Sequence, residues 1–365
     1  MKFVLVLVHR IHFGNQSKAG GIDQILSYLE ASGKTFILVE HPLGGKGKSK
    51  VIVNQDHREY DIPFAGPIRW FIEYFFNLIY LFINNKKIEF IISVDSLNFL
   101  SAISYAVVSK KRFLLLLPDY SDYRFNNRFL NFIYKLTTRI SCTLSEQTIC
   151  VSKSMKDLAQ SWGINGNKIT IIPNSPALSS IIPRNGSISN PPKIVFTKSE
   201  ISLEESLFLL GIIKKLNEYG CPFSLTVIGK MSQESISLFP VGINLTGLIS
   251  LKENHVFLKE SDIGLAIYLK PKSFEKYADS LKIREYAALG LPIISTPHVS
   301  TALEGRDANC ILIASTEGDF VQSIIRLTRN NSEYGEMAQN SRSWALENDK
   351  DKILSDFFSH KFKIQ

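Results

Sequence analysis

Apolar and polar positions alternate between two rhythms along this chain, and the whole alternation runs twice. Residues 3–8, 35–39, 88–94, 113–117, 147–151 and 168–172 are short apolar runs, each predicting a strand buried on both faces. Between them, residues 22–31 place Ile22, Ile25, Leu26 and Leu29 at helical spacing, and residues 68–83, 98–108, 129–140 and 153–162 carry the same period. Strands alternating with helices predict a parallel sheet covered on both sides. Residues 179–192, SSIIPRNGSISNPP, break the rhythm with Ser, Asn and Pro and read as a linker. The alternation then restarts, with strands at 194–197, 224–228, 244–246, 262–269, 293–296 and 311–314 and helices at 203–218 and 281–289. A polar, helical pattern runs from residue 333 onward. The expected fold is α/β: two Rossmann-like domains facing across a cleft, at 1–178 and 193–340, joined by linker 179–192. Residues 341–365 are expected to form a helical tail that packs back on the first domain.

Composition agrees with two domains. A chain of 365 residues exceeds one ordinary core, and 45% hydrophobic with 21% charged residues is a globular composition rather than a disordered one. The nearest approach to a membrane span is 68–83, IRWFIEYFFNLIYLFI, which carries Arg69 and Glu73 and falls short of the ~20 apolar residues a span needs. It reads as a buried or interface-lying helix. The opening MKFVLVLVHR ends its apolar run at His9-Arg10 without a small-residue cleavage site, so a first strand fits better than a signal peptide. Cys142, Cys150, Cys221 and Cys310 show no CxxC spacing and read as reduced thiols of a cytoplasmic protein. The seven histidines have no ligand spacing, so neither a metal nor another cofactor is expected.

The net charge of +8 has no basic run, RNP-like motif or zinc module behind it, and nucleic acid is excluded as the expected partner. Anionic substrates or an anionic membrane surface fit better, the latter with the protein peripheral on the inner face of the membrane, and a merely solvated basic surface is the alternative. Local basic patches occur at Lys46, Lys48 and Lys50, at Lys86-Lys87, and at Lys110-Lys111-Arg112.

Candidate chemistry concentrates in residues 279–296, DSLKIREYAALGLPIIST. Asp279 or Ser280 can cap a helix, Gly290 can end it left-handed, and Pro292 blocks its continuation into the strand that follows. A helix N-terminus favours anions, and Lys282 and Glu285 lie on one face a turn inside it. A diphosphate beside a sugar hydroxyl suits that pair, and a surface Lys–Glu pair on a plain αβ unit is the bland alternative. Thr197-Lys198-Ser199 ends the first strand of the second half, where a lysine can meet phosphate or simply face solvent. Gly20-Gly21 ends a loop after the first strand, without the GxGxxG or P-loop spacing. Pro118-Asp119-Tyr120 follows the very apolar run 113–117, placing a carboxylate where it can act as base, accept a hydroxyl or cap a loop. Asp119 and Asp122 are too far apart in sequence for a DxD metal motif.

On these residues the chain resembles the GT-B glycosyltransferases, in particular retaining family 4, which includes many bacterial polysaccharide and lipopolysaccharide transferases. Residues 285–294, EYAALGLPII, match its E-x-x-A-x-G-x-P-V-I signature. Ile149-Cys150-Val151-Ser152, Ile171-Ile172-Pro173-Asn174, the strand ending at Gly229, Asn244-Leu245-Thr246-Gly247, residues 261–265 and Gly20-Gly21 match further segments. The resemblance implies a transferase moving a hexose from a nucleotide sugar, a UDP-sugar first, to a glycan or lipid-linked acceptor in cell-surface polysaccharide synthesis. It implies donor contacts from Gly20, Gly21, Thr197, Lys198, Gly229, Ser280, Leu281, Lys282 and Glu285, with Asp119, Lys198 and Glu285 at the reaction centre. Ser280 and Leu281 would offer backbone amides to the diphosphate and Glu285 its carboxylate to the ribose. The chain departs from the pattern at Tyr277, where the family often has a first glutamate, with Glu275 out of register, and at Pro118, where it has a histidine. Two other expectations share the architecture: a nucleotide-sugar 2-epimerase, and a non-catalytic GT-B partner of a membrane glycosyltransferase complex.

Overall fold

A computed structural model describes residues 3–10, 21–43, 47–53, 56–64, 66–184, 186–269 and 276–363. Gly20, Lys46 and Glu275 lie outside them. The chain divides into two compact units, Met1–Pro173 with Asp351–Gln365, and Asn174–Lys350. The segment 179–192 belongs to the second unit. There the Arg184 amide donates to the Leu289 carbonyl, and its guanidinium pairs with buried Asp262 and donates to the Tyr334 hydroxyl.

The first unit runs β1 (Phe3–Arg10), α1 (Ile22–Ala31), β2 (Phe36–Pro42), β3 (Ser49–Val53), β4 (Asp56–Tyr60), α2 (Gly66–Ile83), β5 (Ile88–Val94), α3 (Phe99–Ser109), β6 (Arg112–Leu117), α4 (Arg128–Leu144), β7 (Gln147–Cys150), α5 (Lys153–Ser161) and β8 (Ile169–Ile171). Its sheet has the order β4-β3-β2-β1-β5-β6-β7-β8 and is parallel from β2 to β8. The second unit runs β9 (Lys193–Glu200), α6 (Leu203–Glu218), β10 (Ser224–Lys230), α7 (Gln233–Leu238), β11 (Asn244–Gly247), α8 (Leu251–Glu260), β12 (Ile263–Ala266), α9 (Leu281–Leu289), β13 (Ile293–Ser295), α10 (Ser300–Asp307), β14 (Ile311–Ile313), α11 (Glu317–Arg329) and α12 (Asn331–Glu347). Its six strands, all parallel, take the order β11-β10-β9-β12-β13-β14. The last helix, α13 (Lys350–Asp356), leads into a π turn at Phe357–Lys361.

Both units are doubly wound. Parallel strands need a crossover helix, and the crossovers run outward in both directions from one point in each sheet. That switch point lies between β1 and β5 in the first unit and between β9 and β12 in the second. Ligands of such sheets bind beyond the carboxyl ends of the strands at the switch point. The cores follow the layers. Phe357, Phe358 and Phe362 of the tail join Ile25 and Leu29 of α1 over one face of the first sheet. In the second unit α6 and α11 bury Leu209, Ile212, Phe320 and Ile324 on one face, and α9 and α12 bury Ile283, Tyr286 and Trp344 on the other.

Between residues 39 and 68 the sequence pattern predicts no strand, yet an antiparallel β3–β4 hairpin extends the first sheet. The outer strand, DHREY, is polar and short, which is how an edge strand avoids pairing with another chain. The hairpin also accounts for part of one basic patch: Lys48 and Lys50 each reach Glu59 at 3.2 Å.

His41, at the end of β2, carries a pH dependence of stability. It is fully buried, with Nδ1 2.9 Å from Ser49 Oγ and Nε2 3.0 Å from Asn77 Oδ1. Burial pushes its pKa down to about 4, helped by His9 and Arg69 and opposed by Glu73 and Asn77. The unfolded chain takes up this proton near pH 6.5, so the contribution is intact above that pH and is lost as pH falls toward 4. The expected loss is about 3 kcal/mol, at about 1.4 kcal/mol per pH step. Urea midpoints at pH 7 and 4.5 test it: a His41→Gln variant should lack the extra fall, and an equal fall would remove His41 as its source.

Candidate functional site

The first turn of α9 is held by a buried network. Ser280 caps it, its Oγ accepting from the Ile283 amide at 3.5 Å, and Gly290 closes the helix at φ 75°. The Ser280 amide donates to Thr301 Oγ1 (2.7 Å), which donates to Asp279 Oδ1 (2.8 Å). Asp279 also accepts from Arg284 Nε (3.0 Å) and from the Asn174 amide (2.6 Å). Arg284, 1% exposed, reaches Glu304 at 3.0 Å and lies over the Trp344 ring. Of the two amides named from the sequence, Ser280's is therefore engaged inside the protein, and Leu281 opens the helix beside it.

Three residues singled out in sequence converge on a fourth that was not. Tyr268, just past β12, shares a 2.6 Å hydrogen bond between its hydroxyl and Ser280 Oγ. Lys282 Nζ stands 5.0 Å from the centre of the Tyr268 ring and Lys198 Nζ 6.0 Å from it, both within cation–π reach. Lys198 is not the free loop lysine that one sequence reading allows: it pairs with Glu205, whose other oxygen accepts from the Ser202 amide in the capping box of α6. Glu285 is 6% exposed, with Oε1 3.6 Å from His255 Nε2 on α8. Tyr277, where the first family glutamate would stand, is 7% exposed under the Lys276 ammonium. Lys198 lies at the end of β9 and Tyr268 just past β12, so the contacts of Lys198, Lys282 and Ser280 with Tyr268 gather at the β9/β12 switch point.

Thr197 and Gly229 have structural partners. The Thr197 amide donates to the buried Tyr286 hydroxyl at 3.1 Å. At Gly229, φ is 149° and a Cβ would stand 1.8 Å from the Lys198 carbonyl oxygen, so the close approach there is strand to strand. Gly229→Ala is expected to lower stability by about 2–4 kcal/mol, since both the backbone conformation and the neighbouring peptide must give way. Urea unfolding measures it, and a loss below about 0.5 kcal/mol would show that the β9 end yields freely.

In the first unit, Gly21 caps α1 at φ 56°, and a Cβ there would lie 3.6 Å from Pro118 Cβ, which brings these two sequence candidates together at the strand ends. Asp119 accepts from Arg124 at 2.7 Å, and the other arm of Arg124 reaches Asp95 at 2.8 Å. Asp95 follows β5, is 3% exposed, adopts φ 63° and accepts from the Tyr134 hydroxyl at 3.2 Å. Burial raises its pKa against the opposing pull of Arg124. Asp95 went unremarked in sequence although its signal, an acid directly after an apolar strand, is the same as that of Asp119. Among the described residues no three His, Cys, Asp or Glu side chains group as a metal site.

No family model matches the sequence, and no curated protein matches it. Solved structures match over the whole length. A glycosyltransferase from Rickettsia africae superposes with a TM-score of 0.71 at 15% identity, covering 99% of this chain and 98% of that one. A trehalose-6-phosphate protein from E. coli bound with UDP-2-fluoro glucose gives a TM-score of 0.66 at 13% identity, covering 100% of both chains. The fold is GT-B. The GT-B likeness extends to a UDP-N-acetylglucosamine 2-epimerase from Listeria monocytogenes, at a TM-score of 0.64 and 14% identity over 100% of this chain and 98% of that one. Within this GT-B chain each unit keeps its own switch point, with Lys198 and Tyr268 at that of the second unit and Gly21 beside Pro118 at the strand ends of the first.

Proposed function

We propose that this GT-B chain is a retaining glycosyltransferase of the family 4 type, moving a hexose from a UDP-sugar to a glycan or lipid-linked acceptor in cell-surface polysaccharide synthesis. The observation that carries the reading is the convergence of Lys282, Lys198 and the capped N-terminus of α9 on Tyr268 at the β9/β12 switch point. Two ammonium groups and a helix N-terminus in one place suit a leaving diphosphate. In transfer the bond from the sugar's anomeric carbon to the diphosphate oxygen breaks, and a bond to the acceptor oxygen forms as the acceptor's O–H bond breaks and its proton passes to a base. The negative charge that develops on the diphosphate is what these groups would stabilise. Glu285 would accept from the ribose hydroxyls, and Asp119 stays the candidate base on the first unit, held by Arg124. No metal is needed in this scheme, because the cations and the helix end supply the positive charge. Cytoplasmic placement follows from the nature of the donor.

A fold shared with an epimerase gives the second reading its footing. Incubating the chain with a panel of UDP-sugars, with and without glycan acceptors, separates the two by nuclear magnetic resonance. Release of UDP that depends on acceptor supports transfer. A changed sugar from donor alone supports epimerisation, and no binding of any nucleotide supports the non-catalytic partner.

A further inference from the structure

Helices α2 and α4 of the first unit are turned inside out. On α2 the i, i+4 stripe that faces the protein is Arg69, Glu73, Asn77 and Leu81, each no more than 2% exposed. Arg69 donates to Glu73 at 2.7 Å, and Glu73 takes His9 Nε2 at 2.9 Å. The opposite stripe puts Phe71, Phe75 and Ile79 in the open at 64%, 45% and 59% exposure. The pattern repeats on α4, which buries Tyr134, Thr138 and Ser141 and exposes Phe132 and Leu136 at 61% and 43%. Helix α3 lies between them and exposes Val107 and Val108 at 70% and 68%. It joins α2 through the Tyr74 and Ser104 hydroxyls and the Phe82 and Tyr105 rings. Water gains nothing from such an arrangement, and an exposed apolar patch of this extent marks a docking surface.

The charges choose the occupant. Glu73 is the only carboxylate in the three helices, and it is buried. The exposed charges on the helices themselves are cations, Arg128, Lys135 and Arg139 on α4, and Lys86-Lys87 after α2 and Lys110 after α3 add to them. The connections also carry Asp61 before α2 and Glu146 after α4, the latter paired with Arg112. Asp122 stands at the edge, 3.9 Å from Lys135. A second copy of the chain would set these cations against themselves, whereas anionic headgroups complement them while acyl chains take the phenylalanines. Among the described residues no helix is long and apolar enough to cross a membrane. We infer that the outer face of α2, α3 and α4 docks on a bilayer surface containing anionic lipid. This holds whether or not the second unit binds a nucleotide sugar, because attachment needs no donor.

The test is sedimentation of the full chain with vesicles of phosphatidylcholine alone or with phosphatidylglycerol at roughly one part in three, at low and high salt. Attachment should be at least about tenfold stronger to the anionic vesicles and should weaken with salt. Phe71→Glu with Phe132→Glu should cut it about tenfold or more. Lys135→Glu with Arg139→Glu should do likewise, at about fivefold per lost cation. Both pairs change exposed positions, so urea midpoints should hold; where the first pair fails to fold, the charge pair decides. Equal attachment to both vesicles, or none, overturns the inference. So does a dimer in sedimentation velocity that Phe71→Glu converts to monomer, which would assign the face to a second copy.

Discussion

Replacing Glu285 with Ala is expected to leave the chain folded and to lower kcat/KM for glycosyl transfer at least 100-fold. A carboxylate that accepts from two ribose hydroxyls makes two charge-assisted hydrogen bonds, each contributing about 1.5–3 kcal/mol. Losing both corresponds to roughly two to four orders of magnitude. The donor keeps its ribose in ground and transition states alike, so a large share of the loss should appear in KM. Stability should change little, because His255 Nε2 stands 3.6 Å from the carboxylate and makes no hydrogen bond to it. Steady-state kinetics and a urea midpoint on the same preparation check both halves. Unchanged turnover removes Glu285 from the site.

The second large effect concerns Asp279, which would touch no substrate. Its two oxygens gather Arg284, Thr301 and the Asn174 amide, and Arg284 is buried, with Glu304 as its other carboxylate. Asp279→Ala strands most of a buried guanidinium, and breaking a buried pair from one side costs about 3–5 kcal/mol. The turn that presents Ser280 and Lys282 should loosen with it, so nucleotide affinity should fall as well. Adding Arg284→Met should recover much of the stability, because the isolated charge is then gone. Thermal unfolding of the four chains of that double-mutant cycle measures the coupling. A loss below about 1 kcal/mol for Asp279→Ala would contradict the network as described.

What could be read in sequence follows from how local each signal is. Helix α9 was legible from end to end because its stop and start are written beside it, in Ser280, Gly290 and Pro292. The alternation of strands and helices that makes each parallel sheet was legible because buried strands and amphipathic helices have different periods. The Ser202–Glu205 capping box is a local signature, but the grip of Glu205 on Lys198 depends on where β9 ends relative to α6. Tyr268 was hidden in a run that reads as strand, and only the fold carries it to Ser280. The bridge of Arg124 between Asp95 and Asp119 joins the ends of two strands and leaves no trace in spacing. Helices α2 and α4 teach something different. Periodicity announces two stripes but not which one faces inward, and here the polar stripes go in because Glu73 meets His9 and Arg69 and because Thr138 meets Ser96.

Calorimetric titration of the full chain with UDP, alongside GDP and ADP, tests the proposed nucleotide-sugar site most directly. UDP should bind to the wild-type chain and raise its melting temperature, by the equivalent of about 2.7 kcal/mol at a hundred times Kd. Lys282→Ala should weaken that binding about 10- to 100-fold, as expected for one charge-assisted contact to phosphate, with the urea midpoint unchanged. Absence of binding by every nucleoside diphosphate, or equal binding by the Lys282→Ala chain, would contradict the site at the β9/β12 switch point.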